Sequence, residues 1–265
     1  MVVQLHRTVR FAVGPDIDPA PPLGSNNGSG GHPAMDGLGA QYELDVTCVG
    51  TPSPTTGYLI NIKAIDHAVR QAAIPLIAAA FGTPEARPAT MLPALADAIA
   101  EQLEPHVASI AWRLTPSLTL EYAMNDREHA CIRQRFEFAA SHRLHTPALS
   151  DQENRELYGK CNNPSGHGHN YTVEPCVALP IRGEAATLTL AVLERLADEL
   201  IVERFDHKHL NVDTEEFGPE GLNPSVENIA KVCFERLADA VAAHGGELRS
   251  VTVWETERTS CTYPG

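Results

Sequence analysis

The sequence predicts an α+β fold: two tandem copies of a ββααββ unit, each an antiparallel sheet with helices on one face. Three observations predict it. Residues 37–50 (GLGAQYELDVTCVG) align with residues 166–179 (GHGHNYTVEPCVAL) at an offset of 129, matching two glycines and a tyrosine. After each of these segments come two helix-like patterns and then a strand pattern, residues 117–120 in the first half and 250–253 in the second. Within the second half, apolar residues recur with a period of two and then with a helical period, in the order strand, strand, helix, helix, strand.

Each element of the second copy has its own reason. In residues 135–142 alternation puts Phe136, Phe138, Ala140 and His142 on one face of a strand. Residues 169–179 alternate likewise, and Pro175, which has no N–H for a ladder, predicts an edge or a bend. Leu190, Leu193, Leu196, Ala197, Leu200 and Ile201 form a helical stripe opposite Glu194, Arg195, Asp198 and Glu199. Ser225 is the expected N-cap of a second helix whose apolar face holds Ile229, Cys233, Leu237 and Val241, and residues 248–255 return to a strand. The copies divide near residue 128, giving domains 1–128 and 129–265. Residues 14–37, rich in Pro, Gly, Asn and Ser, read as a long mobile loop in the first copy.

Composition narrows the function classes. With 43% hydrophobic and 20% charged residues in 265, the chain has the balance of an ordinary globular protein. No apolar run reaches the roughly 18 residues of a membrane span, and the N-terminus MVVQLHRTVRF lacks the apolar core of a signal peptide, so a cytoplasmic protein without a membrane partner is expected. A formal charge of −14 argues against a nucleic-acid partner; an anionic small substrate would need a local basic pocket. The six cysteines form no CxxC pair and read as free thiols, with Cys48, Cys176 and Cys233 as core residues.

Chemistry concentrates in the second copy. His167 and His169 are two apart in a strand and therefore share a face, and His142 ends another strand of the same unit. Three such imidazoles leave one position open on a metal ion, the arrangement of a catalytic zinc. The alternative is a pair of exposed histidines beside a glycine turn. Cys161 lies in a turn six residues before His167, where a nearby cation and metal would ease ionisation; by itself it would be a loop cysteine. Asp206 beside His207 can orient the imidazole and tune its proton affinity, although His and Lys are common at a solvated helix end. Glu255 follows the inward alternation of Val251 and Val253, so its carboxylate needs a partner, either paired N–H groups on a ligand ring or a salt bridge.

In order and spacing, FAASHRLHTPALSDQENRELYGKCNNPSGHGHNY (138–171), FDHKHLN (205–211), PSVENIA (224–230) and WETE (254–257) resemble the 6-pyruvoyl-tetrahydropterin synthase family over about half the chain. The resemblance implies the tunnelling fold (T-fold), in which subunits join their sheets into a barrel. It implies one zinc ion per chain, on His142, His167 and His169. It implies Cys161 as the thiol that moves a side-chain proton, with Asp206 and His207 as its partners. Glu255 would anchor the pterin ring, with Ser225 and Glu227 near it. The implied reaction converts 7,8-dihydroneopterin triphosphate to 6-pyruvoyl-tetrahydropterin with loss of triphosphate. A sister branch of deazaguanine (queuosine) biosynthesis, forming 6-carboxy-tetrahydropterin, shares the site but usually has a shorter gap between cysteine and HGH; an aldolase-like branch places a glutamate in or beside the cysteine position, and Asn162 after Cys161 speaks against it. A pterin- or purine-binding module without turnover is a further alternative, against which the retained Cys161, Asp206 and His207 speak. Arg143, Lys160, Lys208 and Lys231 are candidates for the triphosphate.

The first copy carries Leu38 and Ala40 where the second has His167 and His169, with Pro15 near the place of His142, and is expected to be a non-catalytic copy. Since the family's site borrows its Asp/His pair from a neighbouring subunit, a homotrimer is expected in which three second copies form one ring and three first copies another.

Overall fold

A computed structural model describes residues 1–15, 17–18, 27–35, 37–83, 86–103, 107–181 and 187–264. The chain forms two compact units, one gathering Met1–Ile132 with Pro180–Gly183, the other Arg133–Leu179 with Glu184–Gly265.

The first unit runs β1 (Val3–Val13), β2 (Ala40–Gly50), α1 (Ile62–Ala68), a π-helical turn (Val69–Ala73), α2 (Ile74–Ala80), α3 (Pro88–Leu103), β3 (Val107–Thr115) and β4 (Leu118–Ala123). Its strands are antiparallel neighbours in the order β1-β2-β3-β4. Alternation sorts their side chains. Val9, Phe11, Val13, Leu44, Val46, Ile110 and Trp112 form one core with Ile65, Val69, Ile74, Leu92 and Ile99 of the helices. The opposite face is ionic: Glu43 of β2 pairs with Arg10 of β1 and with Arg113 of β3. Part of the expected mobile loop, residues 16, 19–26 and 36, lies outside the described residues. Its remainder is tied to β1: the Asn27 side chain accepts from the Arg10 N–H, His32 N–H donates to the Arg10 carbonyl, and Ala12 N–H donates to the Pro33 carbonyl. The strand ends at Val13, which pairs with Ala40 as Ala140 pairs with His169 in the second unit; the same register carried two residues on puts Pro15 opposite Leu38, near the place of His142.

β5 (His129–Gln134) leads into the second unit. There follow β6 (Phe136–His142), α4 (Asp151–Tyr158), a 3-10 turn (Gly159–Asn162), β7 (His167–Pro180), α5 (Leu190–Ala197), a π-helical turn (Asp198–Val202), α6 (Glu203–Phe205), β8 (Lys208–His209), α7 (Leu210–Asp213), α8 (Val226–Ala243), β9 (Glu247–Thr256) and β10 (Thr259–Tyr263). Among these strands β6 lies between β8 and β7, and β9 between β7 and β10; β6 and β8 are parallel, the other pairs antiparallel. The expected core face of α8 is fully buried at Ile229, Cys233, Leu237 and Val241. Phe138 stacks on Tyr171 (centroids 5.0 Å apart) and meets Phe205 at 5.8 Å, tying β6 and β7 to the helical layer.

Three local outcomes differ from the sequence reading. Pro175 sits inside a continuous β7 and pairs in register with Val251; the expected bend is a register shift at Cys176/Val177. The helix expected over 190–201 is broken by the π turn at Asp198, as the first unit's helix is broken at Val69, 129 residues earlier. Helix α4 was not anticipated, although Ser150-x-x-Glu153 is a capping box and both of its hydrogen bonds form.

Phe138 is 3% exposed between two aromatic neighbours, so Phe138→Ala is expected to lower unfolding free energy by about 3–5 kcal/mol, measured by urea denaturation. A loss below 1 kcal/mol would show that this stack is not the second unit's core.

Candidate active site

Antiparallel pairing of β6 with β7 puts His142 directly opposite His167, and the two-residue repeat of β7 puts His169 on the same face one pleat on. One ring nitrogen from each of the three lies within 4.8 Å of the others. Nε2 of His142 is 3.2 Å from Nε2 of His167.

The orientation of His142 is fixed from behind. The ring is fully buried, and its Nδ1 is 2.7 Å from the carbonyl oxygen of Pro224. A carbonyl only accepts, so the Nδ1 carries the proton and Nε2 of the neutral ring presents a lone pair to the cluster. Nε2 of His169 is buried without a hydrogen-bond partner. The carboxylate of Glu255 adds an oxygen 3.3 Å from Nε2 of His142 and 3.5 Å from Nε2 of His169.

Electron pairs aimed at one another at such distances repel unless a proton or a cation sits among them. For His142 to hydrogen-bond both Pro224 and Glu255, its buried ring must be an imidazolium; a cation held by the nitrogens meets the same need with every ring neutral. The observed 3.2 Å is close to the edge of about 3.3 Å that follows from tetrahedral geometry with metal–nitrogen bonds of 2.0–2.1 Å. The triad could therefore hold a metal ion. Burial, then the neighbouring imidazoles, holds the His167 pKa below its ordinary value; burial, opposed by Glu255, does the same for His169. Both are thereby kept neutral, as ligands must be. The hydrogen bond with His142 holds the Glu255 carboxyl below the usual carboxylate range, against the upward push of burial.

The segment after His142 has no strand partner, and asparagines take that role. Asn211 accepts from the Arg143 N–H and donates to the Arg143 carbonyl, while Asn162 donates to the Leu144 carbonyl. Asn223 accepts from the His145 N–H, and buried Asn154 both accepts from and donates to the backbone of Thr146. Leu144 N–H donates to the carbonyl of Cys161, which brings the 3-10 turn against the strand end. Gly166, which enters β7, has φ of 71°, and a Cβ there would lie 2.7 Å from the His209 ring.

The expected residues are thus partly assembled. His142, His167, His169 and Glu255 meet in one cluster. Cys161 is half-buried in its turn, and no hydrogen bond joins it to Asp206 or His207 among the described residues. Those two form a dyad in the turn between α6 and β8, against Ala139 of β6: His207 Nδ1 is 2.6 Å from the Asp206 carboxylate, whose other oxygen accepts from the Ala139 N–H. These bonds, the backbone one foremost, hold the Asp206 carboxyl below its usual range. His207, with φ of 56° and a side chain 84% exposed, projects from the surface. Ser225 caps α8 by accepting from the Asn228 N–H, and Glu227 is exposed on the first turn of that helix. Tyr171 was missed, although HxHxY places it on the face of both histidines; its hydroxyl is 3.4 Å from His142 Nδ1. The Pro224 carbonyl and the asparagine contacts had no local signal.

Residues 131–265 match the family model described as 6-pyruvoyl tetrahydropterin synthase. A human 6-pyruvoyl tetrahydrobiopterin synthase is 37% identical over 144 residues, covering 52% of this chain and 94% of that protein. One from Drosophila melanogaster is 42% identical over 115 residues, 43% of this chain and 67% of that protein. The structure of Caenorhabditis elegans 6-pyruvoyl tetrahydropterin synthase aligns with a TM-score of 0.47 at 33% identity, over 52% of this chain and 96% of that one. No helix among the described residues is long and apolar enough to cross a membrane.

A His167→Ala variant is expected to lose stoichiometric binding of a divalent transition metal in chelator competition, whereas His209→Ala retains it. Because His167 and His169 titrate below the ordinary imidazole value of 6.5, the unfolded chain takes up protons that the folded chain refuses. The metal-free protein should lose stability as pH falls below 6.5, and metal affinity should weaken at lower pH, where protons compete for the folded imidazoles. A metal affinity that does not fall as pH is lowered would contradict imidazole ligation.

Proposed function

Because the chain belongs to the 6-pyruvoyl tetrahydropterin synthase family, a family of lyases, we propose that it converts 7,8-dihydroneopterin triphosphate to 6-pyruvoyl-tetrahydropterin, releasing triphosphate. The observation that carries this reading is the convergence of His142, His167 and His169, with Glu255, inside the segment that matches the family.

One zinc ion per chain suits the three-nitrogen set, and when bound it supplies a Lewis acid for the oxygens of the substrate side chain. The chain's own residues do the rest. Cys161, on a turn held to the strand end by the Leu144–Cys161 hydrogen bond, removes the side-chain proton as a thiolate. Asp206 orients His207 through Nδ1, which leaves Nε2 outward for proton exchange. Glu255 turns from the imidazoles toward the N–H pair of the pterin ring, a bidentate contact for a carboxylate. Ser225 sets the start of α8 beside the ring, with Glu227 next to it.

The Asp206–His207 dyad points out of its own chain, which supports its donation to the site of a neighbouring subunit. A homotrimer whose second units share one barrel, with the first units in another, provides that neighbour. Duplication of one ββααββ unit is supported by the shared element order and by π turns at the common offset of 129. The first unit, with Leu38 and Ala40 in place of histidines, serves as a structural copy.

Metal-loaded protein incubated with 7,8-dihydroneopterin triphosphate should yield triphosphate and a product with the mass of 6-pyruvoyl-tetrahydropterin. Acetaldehyde with a 6-carboxy product would replace the reading by the sister reaction, and tight binding without product would replace it by a binding module. Cys161→Ala is expected to lower turnover by about 10³-fold or more with metal content unchanged.

A further inference from the structure

A chain with a formal charge of −14 keeps three cations free of carboxylate partners around one hollow beside the site. Arg143, Arg155 and Lys160 line it with Asn162, Asn163 and a single acid, Asp151. No carboxylate lies within ion-pairing distance of any of the three cations among the described residues. Lys231, by contrast, is paired with Glu235, and Lys208 lines a different hollow shared with Asp213.

The hollow is built around Arg143. Its backbone is clamped on both sides by Asn211, and its Nε donates to the Asn162 carbonyl at 3.1 Å. Its Nη2 donates to the Asn162 side-chain oxygen and to His145 Nδ1, both at 3.3 Å. Asn162 is itself only 6% exposed and donates to the same His145 Nδ1 at 3.1 Å. Two donors meeting one nitrogen make it the acceptor, so the ring's proton sits on Nε2. These contacts hold the guanidinium at one end and leave Nη1 without a hydrogen-bond partner among the described residues, a planar fork fixed before any ligand arrives. A half-buried guanidinium neutralised by no carboxylate is costly to the protein unless an anion completes it.

We propose that this hollow binds the triphosphate end of the substrate, with Arg143 as the oriented fork and Arg155 and Lys160 as exposed cations that meet the outer phosphates. The assignment rests on the reaction proposed above for its ligand. The turn Gly159–Asn162 forms its wall and carries Cys161, so an anion held there anchors the substrate beside the thiol. The local basic pocket that an acidic chain needs for an anionic substrate is thereby located. Arg143 and Lys160 are legible in the sequence, while Arg155 joins them only through the last turn of α4.

Titration calorimetry with inorganic tripolyphosphate on the metal-loaded full chain tests this apart from turnover. The doubly substituted Arg155→Gln/Lys160→Gln protein should bind at least about tenfold more weakly than wild type, and Lys231→Gln within about twofold. His167→Ala should still bind, since the anion sits on the cations and not on the metal. The KM for 7,8-dihydroneopterin triphosphate should rise with the double substitution while kcat stays within about threefold. No binding to wild type, equal binding to the double variant, or binding lost in His167→Ala alone would each overturn the assignment. If no pyruvoyl product forms yet tripolyphosphate binding falls as stated, the reaction fails and the anion hollow stands.

Discussion

The proton on Nδ1 of His142, donated to the carbonyl of Pro224 across 82 residues of chain, sets what the rest of the site is able to do. It fixes the ring's tautomer and turns the remaining lone pair toward His167 and His169. Strand pairing then aligns two imidazoles and the β pleat supplies the third. With Glu255 at the edge of the same cluster, several electron pairs face one small volume, and only a cation or extra protons relieve them.

That geometry is held by backbone pairing supplied from side chains. Residues 143–146 leave the ladder at His142, and Asn211, Asn162, Asn223 and Asn154 each take up backbone groups that a neighbouring strand would otherwise satisfy. The same asparagines join the parts of the site. Asn162 neighbours Cys161, Asn223 neighbours the Pro224 carbonyl behind His142, and Asn211 follows β8, which carries the chain on from the Asp206–His207 dyad. A loss at any one of them would move a functional group on a different element. Backbone groups satisfied in this way fix the site without enclosing it, which suits a pre-organised site.

Periodicity made much of this legible. Alternation in β6 and β7 put three histidines on one face, and the apolar stripe of α8 with its Ser225 cap is present at the expected residues. The inward alternation of Val251 and Val253 calls for a partner to the Glu255 carboxylate, and the imidazoles of His142 and His169 supply it. What could not be read depends on long-range or non-periodic contacts. The Pro224 carbonyl has no side-chain signature. Asparagines in loops look like turn formers until their acceptors are known. The π turns arise inside patterns that read as continuous helix, and Pro175 stays in β7 because the strand takes up its irregularity one residue later. The capping box before α4 and the HxHxY spacing that places Tyr171 are local signals present in the sequence.

With three imidazole nitrogens and no sulfur on the metal, Cys161 would be left free to move a proton. Zinc-edge X-ray absorption on the loaded full chain measures this directly. Nitrogen and oxygen scatterers at about 2.0–2.1 Å with an imidazole outer-shell pattern are the expected result. A sulfur scatterer near about 2.3 Å would make Cys161 a ligand instead of a base and contradict it.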